Sequence, residues 1–499
     1  MTRVWVRELA GWMLASAVAL LTAATVASSA RAELLFRDGD SLIVALLSRS
    51  VLSGEPLDWA MSSVLFVPET AVFVALDALV PLEADGLLAL TAVLNLLGLY
   101  GALRLTAGRR SEGFAPVAWS VVALGVVGLL AMTESSASRD ALEPASLQLM
   151  TTYYSATVIG VVMTIGVLRR ALDRAKSATV LAVALAVIAV ISAFSNPLYA
   201  AWATVPLSVL LAIFSFCSEH RKRAGVLLGI LILASAGGLL LRIPFAAWIA
   251  NTGAGYAQPE RWRESMATYG GLLAERLSTP LGVLAALVLL ALLGLAAWST
   301  SRATEAGSRF VATAAWLVPV LVVIGAIALG THASRYLQPI AFAPVLALLA
   351  VPRAWALPPS FRRSLAVIVG LAVLVGGAFS IPRLAAAAQR PDADLACVTD
   401  WVDTAGRTGA GQFWTVRLPK LHLDDPAQLV QVDHRLQGYA WLVNRTDFDA
   451  AAVSFLIEDA QTVPWDLPVA AVPDDVVDCG RYRIVDFGDA LLPLGPAHS

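Results

Sequence analysis

Apolar residues run along most of this chain in stretches of about 20, each closed by a short polar or basic turn. A helix of that length rises about 30 Å, the depth of a bilayer's hydrocarbon core, and satisfies its own backbone on the way. The first stretch covers residues 9–27, behind Arg3 and Arg7. Others fall at 87–105, 114–132, 150–168, 178–195, 198–216, 224–241, 280–298, 310–329, 337–351 and 364–381, about eleven in all. A basic start followed by Ala30-Arg31-Ala32 would also suit a cleavable leader. The loop charges fit better when the stretch stays as a first span with its N-terminus in the cytoplasm.

Two apolar runs after the first span do not read as crossings. Leu42, Ile43, Leu46, Leu47 and Val51 recur at helical spacing, and Gly54 with Pro56 ends the run. Asp40-Ser41 stands in front as a candidate cap. This helix is too short to span, which predicts that it lies along the interface. The run 64–80 contains Pro68, Glu69 and Asp77, and predicts a second interfacial or re-entrant helix. Residues 1–382 thus form the membrane part, with a long first external loop at 32–86.

The pattern changes from about residue 383. Leu395, Val398, Trp401 and Val402 predict an amphipathic helix ending at Gly406, and 413–418, 453–457 and 482–487 predict short strands. The expected fold class is an all-α polytopic membrane protein, with residues 383–499 as a small C-terminal extracytoplasmic α/β domain.

Composition agrees: 58% of the chain is hydrophobic and only 14% charged, with mean hydropathy +0.73, well short of a soluble protein's charge. Of 37 acidic and 35 basic residues, 17 and 7 fall from residue 391 onward, leaving 20 and 28 before it. An acidic tail without a basic cluster argues against nucleic acid as a partner. The basic residues gather in alternate loops, at Arg104/Arg109/Arg110, Arg169/Arg170/Arg174/Lys176, Arg221/Lys222/Arg223, Arg302/Arg309 and Arg353/Arg362/Arg363. Loops near 133–149 and 195–198 hold one, Arg139. By the positive-inside rule the first set is cytoplasmic, and an odd span count puts the C-terminus outside the plasma (inner) membrane. Cys397 and Cys479 flank the tail, and a disulfide between them would suit that oxidising side. Cys217 reads as a small apolar side chain, and Asn444-Arg445-Thr446 matches a short glycosylation sequon.

Several groups could carry chemistry. Asp38 and Asp40 follow the first span, where carboxylates are costly unless they meet water, a metal or a substrate. They could hold a divalent metal ion, the one cofactor the chain suggests, or take a proton from an attacking hydroxyl; the alternative is a helix cap beside a solvated acid. Glu69 could bind substrate or pair with an arginine of an outer loop. Trp59 could be a sugar-stacking platform or an interfacial belt residue. The loop from Gly330 to Pro339 puts His332, Arg335 and Tyr336 together, suited to a lipid phosphate, or to snorkelling and an ion pair. The long outer loop that starts at Arg242, a further candidate binding residue, adds Tyr256, Glu260, Arg261, Trp262, Arg263 and Glu264. Walker-type, HExxH, GxSxG and paired CxxC motifs are absent from the sequence. The centres of the later spans lack the ionisable groups that ion-coupled transport uses.

Arg37-Asp-Gly-Asp-Ser41 in the first external loop, two interfacial helices behind it, and a late external Arg335-Tyr336-Leu-Gln-Pro339 resemble the GT-C superfamily of membrane glycosyltransferases. That group includes protein O-mannosyltransferases and the aminoarabinose lipid A transferase. The resemblance covers roughly residues 1–381 and implies a polyprenyl-phosphate sugar donor and an extracytoplasmic acceptor (glycolipid, polysaccharide or protein). It implies Asp40 as the principal acid with Asp38 beside it, and Arg335 at the donor phosphate. Ser41 stands where many relatives carry Glu after the second Asp. The competing expectation is a non-enzymatic lipid-handling or envelope-assembly protein that presents its C-terminal domain.

Overall fold

The computed structural model describes residues 2–108, 113–173, 178–217, 221–353 and 358–499. Arg109, Arg110, Arg174 and Lys176, four of the residues expected in cytoplasmic turns, lie outside them. The chain is mostly helical and divides into two compact units.

The first unit comprises Met1–Leu34, Ala89–Ile243 and Gly255–Ala388. Seven helices of the described chain are long and apolar enough to cross a membrane: Val4–Ala27, Ala84–Thr106, Ser155–Asp173, Arg221–Leu240, Pro280–Arg302, Ala306–Ala328 and Ser364–Ala388. Four further expected stretches form shorter apolar helical segments, at Pro116–Met132, Thr179–Ser195, Ala200–Phe216 and Ser334–Ala350. Proline accounts for two of their irregularities, since it removes an N–H and crowds the preceding turn. Ala200–Thr204 is a π-turn just ahead of Pro206. Pro339 and Pro344 cut 334–350 into single turns. Large apolar side chains such as Phe216, Leu233 and Phe379 are more than 70% exposed, as on helices that face hydrocarbon.

Charged groups inside this unit are consumed by structure. Arg31 is 1% exposed and donates to Ser146 Oγ and to the carbonyls of Ser136, Ser138 and Glu143. Glu134 accepts from the amides of Ala145 and Ser146, and burial holds its carboxyl above the usual range. Arg169, expected in a cytoplasmic turn, is instead buried and donates to the carbonyls of Thr106, Leu349 and Ala350, which are helix-end acceptors.

The second unit joins Leu35–Leu88 and Pro244–Ala254 to Gln389–Ser499. The first external loop, expected to belong with the membrane part, thus folds with the tail. Strands run in chain order: β1 (Trp59–Ala60), β2 (Gly409–Gln412), β3 (Leu429–Val432), β4 (Gln437–Tyr439), β5 (Val443–Asn444), β6 (Ala452–Val453), β7 (Phe455–Glu458), β8 (Asp475–Cys479), β9 (Tyr482–Asp486), β10 (Leu492–Pro493) and β11 (Gly495–His498). A seven-stranded sheet has the order β11-β4-β3-β2-β7-β9-β8, with β2 parallel to β3 and β7. Its two faces follow the period of two. Leu429, Phe455, Ile457 and Ile484 pack on one side with Val398, Val402 and Val416 from helices, while Val430, Leu456 and Val485 fill the other.

The helix Ala393–Ala405 ends at Gly406 as its spacing predicts, and Cys397 on it is disulfide-bonded to Cys479 on β8. The stretch 413–418 is not a strand but part of the helix Phe413–His422. The strand lies just before it, in Gly-Ala-Gly-Gln, where the missing Cβ of Gly409 leaves room for the Phe455 ring on β7. Asn444 of the sequon is 4% exposed, and its Nδ2 donates to Ser50 Oγ and Pro56 O.

Candidate functional site

The acidic turn is built by its own backbone. Asp38 Oδ1 accepts from the Asp40 amide at 3.1 Å, and Asp38 O accepts from Ser41 N at 2.8 Å. Neither Asp40 nor Ser41 occupies the cap position. The following helix, Ile43–Ser53, has Leu42 as its N-cap, two residues after Asp40 and one after Ser41, and Leu42 makes no side-chain cap bond. Asp38 is buried and Asp40 half-buried.

The turn rests on the helix Phe413–His422. A Cβ at Gly39 would come within 3.2 Å of Arg417 Cδ, Phe413 Cε1 and Trp414 Cε3, so glycine is what lets the backbone lie this close. Arg417 is 1% exposed, with Nε donating to Gly39 O at 2.8 Å and Nη1 to Leu442 O at 2.5 Å. Its guanidinium stands 4.9 Å from the centre of the Phe413 ring. Burial pulls the Arg417 pKa down to about 10, opposed by the charges of Asp40, Asp38 and Asp447. Tyr439, at the end of β4, is pushed up by burial and then by Asp40. Leu442 adopts φ 52°, a strained backbone for a branched residue, and presents its carbonyl to Arg417 in that conformation. Arg417 is not among the candidate residues that the sequence offers, because the pattern at 413–418 predicts a strand. The available signal was a charge set between Val416 and Leu418.

Two other expected binding residues of this unit, Trp59 and Glu69, are buried. Trp59 is 3% exposed, lies in β1 opposite Asn444 on β5, and donates from Nε1 to Ser50 Oγ. It is neither a belt residue nor a platform. Glu69 is buried in the first turn of Val67–Leu79, behind Phe66 with φ 49°. A pair of carboxylates, one already accepting a main-chain N–H and both beside a buried guanidinium, is an incomplete set for a divalent cation. Among the described residues no group of three or more His, Cys, Asp or Glu gathers into a ligand set.

In the first unit, His332, Arg335 and Tyr336 share one tightly held loop. Ser265 Oγ donates to Thr331 O at 2.5 Å, the Tyr269 hydroxyl lies 2.7 Å from Thr331 Oγ1, and Trp202 Nε1 donates to Tyr336 O at 3.0 Å. Gln338, fully buried, donates to Tyr153 O. His332, Arg335 and Tyr336 are each half-buried. Arg242 behaves differently: it is buried and donates to Phe194 O, in the last turn of Ala178–Ser195, which makes it a helix C-cap. Arg261 and Glu264 of the long loop after Arg242 pair with each other at an exposed surface.

Asp38 and Asp40 thus belong to the second unit, and His332, Arg335 and Tyr336 to the first. No protein-family model and no curated protein matches the chain.

Proposed function

We propose that this chain is a GT-C-like membrane glycosyltransferase that moves a sugar from a polyprenyl-phosphate donor to an extracytoplasmic acceptor. The observation that carries the reading is the acidic turn, whose Gly39 carbonyl accepts from a buried guanidinium and whose backbone packs closely on the helix Phe413–His422 at that glycine. A turn serving only as a helix cap has no need of that apparatus, and the N-cap position of the following helix is Leu42.

In this reading Asp40 accepts the proton of the acceptor hydroxyl as its oxygen attacks the anomeric carbon. The bond from that carbon to the phosphate oxygen breaks, and polyprenyl phosphate leaves with an added negative charge. Arg335 binds that phosphate through its fork of N–H groups, with His332 and Tyr336 as neighbouring donors. Asp38 orders the turn through its bond to the Asp40 amide. No step is routed through a metal ion. The topology that goes with this function has about eleven spans in the inner membrane, a cytoplasmic N-terminus and an extracytoplasmic tail.

The test is transfer by membranes containing the full chain, supplied with tritiated polyprenyl-phosphate mannose or polyprenyl-phosphate aminoarabinose. Asp40→Asn should lower transfer on the order of 100-fold or more while insertion and the Cys397–Cys479 disulfide are kept. Arg335→Gln should raise the donor KM more than it lowers kcat. Wild-type transfer by Asp40→Asn would remove the assignment of the base. Absence of transfer by the wild-type chain, with a phenotype that depends on the tail and is indifferent to Asp40 and Arg335, would favour an envelope-assembly role.

A further inference from the structure

Arg417 is the feature of the second unit that simple packing does not explain. Moving a guanidinium out of water costs several kcal/mol, and an apolar side chain of similar volume would fill the same space at lower cost. Arg417 is nevertheless 1% exposed, in a helix whose other inward positions include Phe413, Val416 and Leu421. Its acceptors come from three separate stretches: Gly39 O in the acidic turn, Gln431 Oε1 on β3, and Leu442 O ahead of β5. Gln431 is itself fixed, since its Nε2 donates to Tyr439 O and Trp441 O at 2.8 Å each. The other amino group, Nη2, is buried and has no hydrogen-bond partner among the described residues. The hydrogen bonds therefore do not saturate the guanidinium, and the charges of Asp40, Asp38 and Asp447 oppose its burial only in part.

We infer that Arg417 is the positioning residue of the acidic turn: it holds the Gly39 carbonyl, and with it the Asp38 and Asp40 carboxylates, at the place where the acceptor hydroxyl is deprotonated. The C-terminal segment is then a working part of the site rather than an appended domain. The dependence is mutual. The guanidinium is held in the interior by acceptors that include the Gly39 carbonyl, and the turn is held in register by the guanidinium. This inference rests on the reading of Asp40 as the base, and it assigns Arg417 no contact with substrate.

The experiment uses the full chain in membranes with the same two tritiated donors, comparing wild type, Asp40→Asn, Arg417→Gln and Arg417→Lys. Formation of the Cys397–Cys479 disulfide and resistance of the tail to protease serve as the fold readout. Arg417→Gln should lower kcat on the order of 100-fold with the donor KM within about threefold, because the base is displaced while donor binding is untouched. Arg417→Lys keeps the charge but loses the fork, and should recover about tenfold in kcat. If Arg417→Gln does not fold, a lowered kcat at constant KM in a folded Arg417→Lys carries the same conclusion. Wild-type kcat in either folded Arg417 variant, beside an inactive Asp40→Asn, would overturn the inference and leave the proposed function standing. Parallel loss of activity and of the fold readout in both variants would reduce Arg417 to a structural residue and overturn it as well. An active Asp40→Asn would instead fail the underlying reading.

Discussion

The charged residues of the second unit divide by whether their partners free them or fix them. Lys420 is buried with Nζ 2.8 Å from Asp447 Oδ2 and donates to Pro426 O and Leu429 O, so its ammonium is fully occupied. Burial raises the Asp447 carboxyl, and Lys420 opposes the rise. Removing one partner strands the other in the interior, at a cost of about 3–5 kcal/mol. Lys420→Met alone should therefore unfold the tail at lower temperature, and Lys420→Met with Asp447→Leu should recover most of the loss, as read by thermal protease resistance. The surface pair gives a pH signature of the opposite kind. Arg407 donates to Asp486 Oδ2 at 2.7 Å and holds that carboxyl below the usual range. A depressed acid stabilises the fold above its unfolded value of about 4, and that contribution is lost as pH falls through the lower folded value. Arg407→Ala should thus cost about 0.2–1 kcal/mol at pH 7 and less as pH falls through the titration of Asp486, measured by denaturant unfolding. A difference that grew toward acid would contradict the pairing.

The elements were legible where one period dominated. Seven helices stand at stretches whose apolar length alone announced them, and Val398 and Val402 marked a helix that ends at the expected Gly406. The strands 453–457 and 482–487 were legible from alternation, apart from a break at Ser454 that separates β6 from β7. The misreading at 413–418 has a physical cause. Eight of the ten residues of Phe413–His422 are buried, so the helix lacks the polar stripe that would have revealed its period. The strand beside it was hidden for the converse reason: Gly409, Ala410 and Gly411 carry no β-branched or aromatic side chain, and β2 is held by neighbours on both edges. Of the candidate site, Asp38 and Asp40 were visible as charges out of place. Arg417 and Leu442 were not, because their roles arise from a carbonyl and a backbone angle that no side-chain pattern encodes. Trp59 shows the limit from the other side, since a tryptophan near a membrane-flanking loop reads as a surface residue until its strand partner is known.

At the scale of the molecule, the second unit is assembled from three stretches of chain that are far apart in sequence. Its joints are specific. Arg37 pairs with Asp392 at 3.0 Å, Arg49 donates to the carbonyls of Leu421 and Asp424, β1 pairs with β5, and Arg445 donates to Asp58 and to Ala247 O. The segment 35–88 has no sheet of its own, and its only strand within that range has two residues that pair with Val443 and Asn444. A two-residue strand without its partner is not stable in water. Ending the chain after Ala388 should therefore unfold 35–88 as well, although that segment is left intact in sequence. The measurement is limited proteolysis of the truncated chain in membranes, with cleavage mapped by mass spectrometry. New cuts are expected around Trp59 and along Ile43–Ser53, at rates at least tenfold above those of the full chain. Protection of 35–88 in the truncated chain would mean that these joints are incidental. The consequence for function is direct: loss of activity on deleting the tail cannot by itself separate a catalytic unit from a presenting one, because the deletion also dismantles the turn that carries Asp38 and Asp40. Only single substitutions that leave the sheet folded, such as Asp40→Asn, make that separation.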